Sequence, residues 1–448
     1  MRIFLLTISF ISILISEPYD GLTLITNMGG GGQGGGNQPK YSHLIDNNQN
    51  IVNSWEHNTS PASIAYLMPD SILYVPCKVG QGGGGQGGGP NGGRFKKMDW
   101  NGNIIWDYYL PEDICNPHHD IAVLPNGNIL AICSETKTQE EALSAGLVGI
   151  FGPMTLDMII EIQPEGDNEG VIVWKWHFWD HLIQDVSDEY ANYGDISENP
   201  QLLNINCTGN GDFEGIRDWN HSNCISYNSI FDQIVISSRH MNEFFIIDHS
   251  TTTLEAASHT GGNFGKGGDF LYRWGNPENY GRGNSADQIL FAQHGVNWIP
   301  EGYPGSGNII LFNNNHSNNN SSVLEIDLPI DSNGNYFINN IDSFGPSSYL
   351  WIYQNNFYSN SQSGAFRLLN GNTLITAGRT GNVIEVNSNN QIVWHLRVKD
   401  NNFDVAMFRS NRVDHLYPLA FSFIINSLYS SFNDNYYYQK NLYLIESG

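Results

Sequence analysis

The unit that decides the fold is written out in residues 370–394: Asn-Gly-Asn-Thr-Leu-Ile at 370–375, Val-Ile-Glu-Val-Asn at 383–387 and Ile-Val-Trp at 392–394. Each apolar run is long enough for one short strand, and polar turn-forming residues separate one run from the next. The last run carries a tryptophan. The unit therefore predicts successive antiparallel strands of one small sheet.

The same unit recurs along the chain. A second copy reads Asn-Gly-Asn-Ile-Leu at 126–130 and continues with apolar runs at 159–163 and 171–174. The remaining copies each pair a strand with a later tryptophan: 44–46 with Trp55, 95–99 with Trp106, 244–248 with Trp274, and 323–327 with Trp351. Small sheets that pack in a ring bury both of their faces. Six copies predict an all-β, six-bladed β-propeller with a tryptophan wedged between blades, rather than a β-sandwich with coincidental repeats.

Composition agrees with this fold and excludes one class of partner. The chain has 448 residues, 48 of them glycine, with 12% aromatic residues and only 20 lysines and arginines. Its formal net charge is −25, so we expect no nucleic acid as a partner, because a phosphate backbone needs a basic face. Two identical Gly-rich strings, at 29–36 and 82–89, lack the lysine and following helix of a phosphate-binding loop and are expected to be solvated loops.

The chain divides into three predicted parts. Residues 1–17 are typical of a signal peptide: a positive start, an apolar run over 3–15 and a break at Ser16. That run is too short to cross a membrane comfortably, so we expect a periplasmic or secreted protein without a membrane span in its mature form. Residues 18–418 form the propeller, and 419–448 form a tail rich in Tyr, Asn and Ser. The odd number of cysteines, five, leaves any disulfide pairing open.

Three histidines occupy equivalent places in three of the repeats. His119, His221 and His294 each stand just before a predicted first strand. In a propeller the innermost strands line the central channel, so equivalent positions in different blades point at one axis. We therefore expect the three imidazoles to meet in the channel. His118 adjoins His119 and could exchange roles with it.

Further polar residues join this set by spacing. Asn223 lies two residues after His221, on the same face of an extended segment. Arg239 ends the strand that His221 opens, and in so acidic a chain we expect it to face the channel. Ser363 stands in the corresponding place of a later repeat. Arginine presents a planar fork of donors to sulfate or phosphate oxygens, and neutral histidine can be a nucleophile or a proton shuttle. Three histidines could instead bind Zn or Cu, although Arg239 would repel a dication.

These segments resemble the bacterial arylsulfate sulfotransferase family. The resemblance runs from about Leu44 to Pro418 and rests on residues 116–128, 218–239, 264–277 and 293–295. It implies a six-bladed propeller and ping-pong transfer from an aryl sulfate donor to a phenolic acceptor, without a nucleotide sulfate or any cofactor. By position, His294 matches the nucleophile and His119 and His221 match flanking histidines that polarise the group and handle the phenolic proton. Asn223 and Arg239 match the sulfate clamp.

Two other functions stay open from the sequence. A propeller can be a non-catalytic binding scaffold, which would not turn over a chromogenic aryl sulfate. It can also be a metal-dependent hydrolase, which would lose activity to a chelator. The Gly-rich strings and the short tail depart from the family pattern. Little sequence precedes the first blade, so the N-terminal β-domain that contributes to dimerisation in relatives is not expected.

Overall fold

The computed structural model describes residues 17–26, 40–79, 92–149, 152–207, 218–317, 319–338, 341–400, 403–404 and 407–414. Except for Glu17, the predicted signal peptide lies outside these ranges, as do both Gly-rich strings and the predicted tail. Within the described ranges the chain forms a six-bladed β-propeller, which confirms the fold expected from the repeats.

Each blade is one four-stranded antiparallel sheet. In blades 2 to 6 the strands follow one another in sequence from the inner to the outer edge, whereas blade 1 takes its inner strand from residues 411–414. Blade 1 contains Asn411–Asp414, Gly21–Thr26, Lys40–Ile45 and Ile51–His57. Blade 2 contains Tyr66–Leu67, Leu73–Lys78, Gly93–Met98 and Ile104–Tyr109. Blade 3 contains Asn116–Val123, Ile129–Lys137, Met154–Glu165 and Glu169–His177. Blade 4 contains Ser222–Asn228, Gln233–Ser238, Glu243–Asp248 and Tyr272–Trp274. Blade 5 contains His294–Trp298, Ile309–Ser317, Asn320–Ile326 and Trp351–Tyr353. Blade 6 contains Gly364–Arg367, Thr373–Ala377, Asn382–Val386 and Ile392–Arg397.

The ring is closed by strands from opposite ends of the described chain. The inner strand of blade 1, Asn411–Asp414, pairs antiparallel with Gly21–Thr26, and the next two strands of that blade follow directly in sequence. Joining both ends in one sheet leaves no blade with a free place at its inner edge. The sequence repeats do not predict this closing strand, because residues 411–414 lie beyond the last repeat.

The tryptophans of the outer strands connect neighbouring blades, as the repeat predicts. In five blades the indole N–H donates to an oxygen of the next blade or its connecting loop: Trp55 to Asp99, Trp106 to Glu169, Trp174 to Thr251, Trp274 to Pro346 and Trp394 to Asn47. In blade 5, Trp351 instead packs beneath the guanidinium of Arg367 in blade 6. An aromatic body buried between sheets thus has its polar atom paired.

The remaining elements are short. Two α-helices, Gln139–Ser144 and Thr253–Ala256, both begin with a capping box, and 3-10 turns span Phe178–His181, Pro277–Tyr280 and Gly378–Thr380. Small two-stranded sheets pair Leu182–Ile183 with Leu203–Asn204 and Lys399–Asp400 with Phe403–Asp404. In the described part of the chain, no helix has the length and apolarity needed to cross a membrane. All five cysteines are described, and each is a buried free thiol.

Hydrogen bonds between inner strands show that these strands converge. The Asn223 amide of blade 4 donates to the carbonyl of Gln293 at the start of blade 5, and the Asn297 amide of blade 5 donates to the carbonyl of Ala365 in blade 6. The backbone N–H of Ile225 in blade 4 donates to Asp120 in blade 3. The starts of these inner strands are therefore held close together.

Candidate active site

Irregular backbone at the start of the inner strands positions the three histidines. His119 lies at a bulge in the inner strand of blade 3 with φ +56°, and His221 precedes the inner strand of blade 4 with φ +46°. His294 begins the inner strand of blade 5 and is followed by Gly295, with φ +66°. Left-handed backbone at residues other than glycine is strained and concentrates at functional sites. The bulges turn the side chains away from the regular in-and-out alternation of a strand.

Gly295 allows blades 5 and 6 to approach closely beside His294. A Cβ at this position would lie 2.6 Å from the Cα of Gly364. The positive φ of Gly295 independently disfavours any other residue. His294 therefore lies beside the close contact between the backbone of Gly295 in blade 5 and that of Gly364 in blade 6.

The three histidines are buried and lie within electrostatic reach of one another, and they are called the imidazole cluster below. The ring centroids of His119 and His221 are 4.7 Å apart, and His240 lies a further 4.7 Å from His221. The exposed fractions of His119, His221 and His294 are 5%, 8% and 3%. Burial followed by the charge of Arg239 lowers the pKa of His294, and burial, the neighbouring imidazoles and Arg239 lower that of His119. Arg239 therefore lies near both imidazoles.

His294 is held in one tautomer. Its Nδ1 lies 3.0 Å from the carbonyl oxygen of Ala292 and 2.8 Å from Oδ1 of Asn314. The Asn314 amide is oriented by its Nδ2, which donates to the carbonyls of Ser359 and Gln362. Because both partners of Nδ1 accept, Nδ1 carries the proton and Nε2 presents a lone pair. Burial, with Arg239 second, lowers the pKa of His294 to about 3, so the ring is neutral near pH 7.

His221 has a carboxylate partner. Nδ1 of His221 bonds to Oδ2 of Asp218, three residues earlier. Burial alone would raise the pKa of Asp218, but the hydrogen bond from His221 and the nearby His240 and His118 lower it. Asp218 is thus ionised and fixes the orientation of the His221 ring through Nδ1.

The structure separates the roles of His118 and His119. His119 faces His221, whereas His118 stands behind it, with Nδ1 2.7 Å from Nδ1 of His119 and Nε2 3.0 Å from Oδ1 of Asp157. Burial lowers the pKa of His118, but the charge and hydrogen bond of Asp157 and the charge of Asp218 outweigh it and raise the pKa. His118 therefore supports His119 from the rear.

Two other residues of the predicted set lie next to the cluster but use their side chains elsewhere. The fully buried Asn223 donates from Nδ2 to the carbonyl of Gln293, at 2.7 Å. The hydroxyl of Ser363 bonds to Oγ of Ser359 and accepts from the N–H of Gly378. Asn223 thus ties blade 4 to the residue before His294, and Ser363 braces the loop that orients Asn314.

Groups of potential metal ligands are present in two places among the described residues. Asp218, His221 and His240 offer ligand atoms within 4.8 Å of one another, and so do His181, His259 and Asp269. In the first group Asp218 is already bonded to His221. In the second group both ring nitrogens of His181 are engaged, by Asp269 and by the carbonyl of Ala256. A metal would have to displace these hydrogen bonds.

Sequence reasoning missed the residues that hold the imidazoles in place. Asp218 and His240 lie close in sequence to His221 and Arg239, so a carboxylate three residues before a candidate histidine was a usable signal. Asp157 and Asn314 lie in the third strand of blade 3 and the second strand of blade 5, and no pattern in the sequence marks them.

The arrangement suits transfer of an anionic tetrahedral group. A neutral imidazole with a free lone pair can attack an electrophilic centre. A nearby guanidinium favours the negative oxygens of that group, and buried imidazoles can donate or accept protons beside it.

Comparison with known proteins gives a match over most of the chain. The sequence profile of a family described as Arylsulfotransferase (ASST) matches residues 68–416. No curated protein matches the sequence. Similar solved structures include a protein of unknown function from Bacteroides caccae, with 11% identity over 88% of this chain and 99% of that chain and a TM-score of 0.45. Others are a protein from Lactobacillus plantarum (8% identity, 88% and 100%, TM-score 0.45) and the periplasmic gluconolactonase PpgL of Pseudomonas aeruginosa (10% identity, 88% and 99%, TM-score 0.44).

Proposed function

Because the chain belongs to the arylsulfotransferase family and is therefore an aryl sulfotransferase, we propose that it moves a sulfuryl group from an aryl sulfate to a phenol in two steps, through a sulfohistidine at His294. The active site lies where the inner strands converge, and no nucleotide sulfate or metal takes part. The observation that carries this proposal is the tautomer of His294, whose Nδ1 donates to Ala292 and Asn314 and leaves the lone pair on Nε2.

In the first step, Nε2 of His294 attacks the sulfur atom of the donor. The S–O bond to the aryl group breaks as the N–S bond forms, and the departing phenolate takes up a proton. His119 and His221 polarise the sulfuryl group and handle this proton. Arg239 forms the clamp for the sulfuryl oxygens together with the second Nδ2 hydrogen of Asn223, since the first is bonded to Gln293. In the second step, a phenol gives up its proton and attacks the same sulfur, and His294 leaves as a neutral imidazole. Dividing the transfer lets one pocket serve two phenols in turn.

The burial of the cluster supports this chemistry in two ways. A neutral ring is the reactive form, and the low pKa of His294, about 3, keeps it unprotonated over the physiological range. Electrostatic interactions are also stronger where water is excluded, so a guanidinium beside the sulfuryl oxygens stabilises the developing charge more than it could in water.

The experiment is a short incubation with an aryl sulfate donor and no acceptor, followed by digestion without strong acid and mass spectrometry. We expect the mass of one sulfuryl group on the peptide that contains His294. H294N should keep the fold, yet lose both transfer and adduct, while the matched change H395N, at an exposed histidine of blade 6, should keep both. Labelling of a peptide without His294, or labelling of H294N, would move the nucleophile to His221 or His119.

The metal-dependent alternative is tested separately, since Asp218, His221 and His240 could in principle gather around a cation. Extended incubation with a strong chelator should leave transfer unchanged. Loss of activity on chelation, restored by adding back Zn²⁺, would replace the sulfohistidine mechanism with metal-assisted chemistry.

The cellular location is part of the same proposal. Residues 1–17 act as a cleaved leader, and the mature enzyme works in the periplasm or outside the cell. N-terminal sequencing of the enzyme recovered from its native cell envelope or medium should begin near residue 18, and a mature chain that retains Met1 would contradict this.

A further inference from the structure

Beside His221 a chain of hydrogen bonds joins Asp157, His118 and His119, and it is called the array below. Oδ1 of Asp157 lies 3.0 Å from Nε2 of His118, and Nδ1 of His118 lies 2.7 Å from Nδ1 of His119. The array leads from blade 3 toward His221 and ends at Nε2 of His119. Hydrogen bonds of this length can pass a proton from one ring to the next.

Asp157 is held rigidly in this array. Its Oδ2 accepts the backbone N–H of Ser222, and its own N–H donates to Oδ1 of Asn220, at 3.0 Å. The residue is 2% exposed. Both of these contacts come from the segment beside His221, so the carboxylate that receives His118 also joins blade 3 to blade 4.

The two adjacent rings stand in opposite electrostatic surroundings. His118 faces the carboxylates of Asp157 and Asp218. Burial, followed by the neighbouring His221, His118 and His294 and the cation Arg239, lowers the pKa of His119 well below the ordinary value. One proton lies between the two Nδ1 atoms, and these surroundings favour a cationic His118 that donates to a neutral His119. His119 then carries its own proton on Nε2, the nitrogen turned away from His118.

We propose that Asp157, His118 and His119 form a proton relay that serves the phenolic oxygen, so that His119 transfers a proton without ever becoming charged. This inference rests on the proposed function. In the first step the Nε2 proton of His119 passes to the departing phenolate oxygen while the Nδ1 proton of His118 passes to Nδ1 of His119. His118 ends neutral, with its Nε2 proton still bonded to Asp157. In the second step the acceptor phenol gives its proton to Nε2 of His119, and the Nδ1 proton returns to His118.

The relay avoids placing a positive charge on His119. A simple general acid would have to be an imidazolium at His119, next to Arg239 and two other imidazoles, where burial and like charge both oppose it. Passing the charge to His118 places it between Asp157 and Asp218, where it is compensated.

The test compares two donors that differ in how much their leaving group needs a proton. The phenol released from 4-nitrophenyl sulfate is acidic enough to leave as the anion, whereas the phenol released from phenyl sulfate is not. In H118N the side-chain amide can still donate to His119 from the place of Nδ1, but it cannot pass a proton on. We measure the first step alone, as release of the phenol in a single turnover without acceptor, because the second step is the same for both donors. In that step we expect H118N to lose about 100-fold more with phenyl sulfate than with 4-nitrophenyl sulfate.

The control is H177N, which breaks another histidine–carboxylate pair of blade 3, between His177 and Glu135, and should affect neither donor. Equal losses of H118N on both donors would reduce His118 to a structural support, and no loss on either would assign the proton to His221 and Asp218; both results overturn the relay. If the wild type transfers from neither donor, the proposed function itself fails.

A neutron structure in D₂O at mildly acidic pH locates the exchangeable protons of His118 and His119 without an activity assay. We expect deuterium on both nitrogens of His118 and on Nε2 of His119. Deuterium on Nδ1 of His119 with a bare Nε2 would overturn the inference, whatever the enzyme transfers.

Discussion

At the scale of single residues, the three central histidines differ in the partner that each keeps on Nδ1. His294 donates to neutral acceptors, the carbonyl of Ala292 and the amide of Asn314. His221 is paired with a carboxylate and His119 with a second imidazole. The partner on Nδ1 decides which protons Nε2 can give or receive. Three chemically identical side chains in equivalent positions can therefore perform three different tasks.

The guanidinium of Arg239 provides the first prediction at this scale. R239K should lower turnover by about 100- to 1,000-fold, because an ammonium cannot present the planar fork of donors to the sulfuryl oxygens as charge develops on them. Steady-state kinetics with an aryl sulfate and a phenol measure this, and R379K, at an exposed arginine, is the control. Unchanged turnover with a raised KM would mean that Arg239 only binds the ground state.

The orientation of His294 provides the second prediction. N314A should reduce turnover about 10- to 100-fold, since the ring loses the acceptor that fixes its tautomer. N313A is a matched control, because Asn313 is equally buried in the same strand but bonds to the backbone of Phe291 and Ile289. Both variants should lose similar stability in chemical denaturation. If N313A impairs turnover as much as N314A, the effect of Asn314 is one of packing rather than of orientation.

At the scale of elements, a repeated polar contact joins blades. In blades 3, 5 and 6 a glutamate of the third strand accepts from an asparagine that precedes the second strand of the same blade: Glu161 from Asn128, Glu325 from Asn308 and Glu385 from Asn372. Each glutamate also meets a cation of the next blade, which is His249, Arg367 or Arg412. Part of the Asn-Gly-Asn repeat in the sequence thus reflects a contact between sheets as well as a turn.

The contact made by His249 predicts a pH-dependent stability. Burial lowers the pKa of His249, but hydrogen bonds to Asp232 and Glu161 raise it to about 9. A raised pKa in the folded state gives stabilisation that is fully present below the unfolded pKa of about 6.5 and is lost as the pH rises through about 9. The wild type should therefore lose more stability than H249Q between about pH 6 and about pH 9.5 in denaturant titrations. If the wild type and H249Q lose the same stability over this pH range, deprotonation of His249 does not weaken the contact.

The fold could be predicted from the sequence because each blade repeats its own local chemistry. Strand, turn and tryptophan recur in one order, and the histidines share a place in that order, so a ring and a meeting point follow without any knowledge of contacts. The supports of the site could not be predicted in this way. Asp157 and Asn314 act across blades or strands and belong to no repeat, and the strand 411–414 completes blade 1 from the far end of the chain.

At the scale of the whole molecule, the closing segment 407–414 meets several blades at once. Arg409 bonds to Asp120 of blade 3 and to the hydroxyl of Tyr66 in blade 2, and its Nη1 lies 3.1 Å from Sγ of Cys224 in blade 4. Phe408 packs beside His119, with ring centroids 6.1 Å apart. The segment that completes the ring also packs against the imidazole cluster.

Ring closure yields the final prediction. R412M breaks the fully buried pair with Glu385 that joins blade 1 to blade 6 and should cost about 3–5 kcal/mol. R94M, which breaks a more exposed pair with Asp107 inside blade 2, should cost about 1 kcal/mol or less. Chemical denaturation gives these values, and hydrogen exchange should show the added opening of R412M in blade 1. Equal losses of stability in the two variants would mean that the contact at the closing strand stabilises the ring no more than a pair inside one blade does.

The closing strand also bears on how the enzyme is made. Residues 21–57 leave the ribosome before blades 2 to 6, and residues 411–414 leave it after them. The three strands of blade 1 within residues 21–57 therefore keep an unpaired edge until the other five blades have been made. Because Phe408 and Arg409 arrive with that last strand, a chain that terminates early lacks both its seal and part of the packing around His119. Catalytic competence therefore depends on the strand that closes the ring, and a product that terminates before residue 407 should be inactive and prone to aggregate instead of partly active.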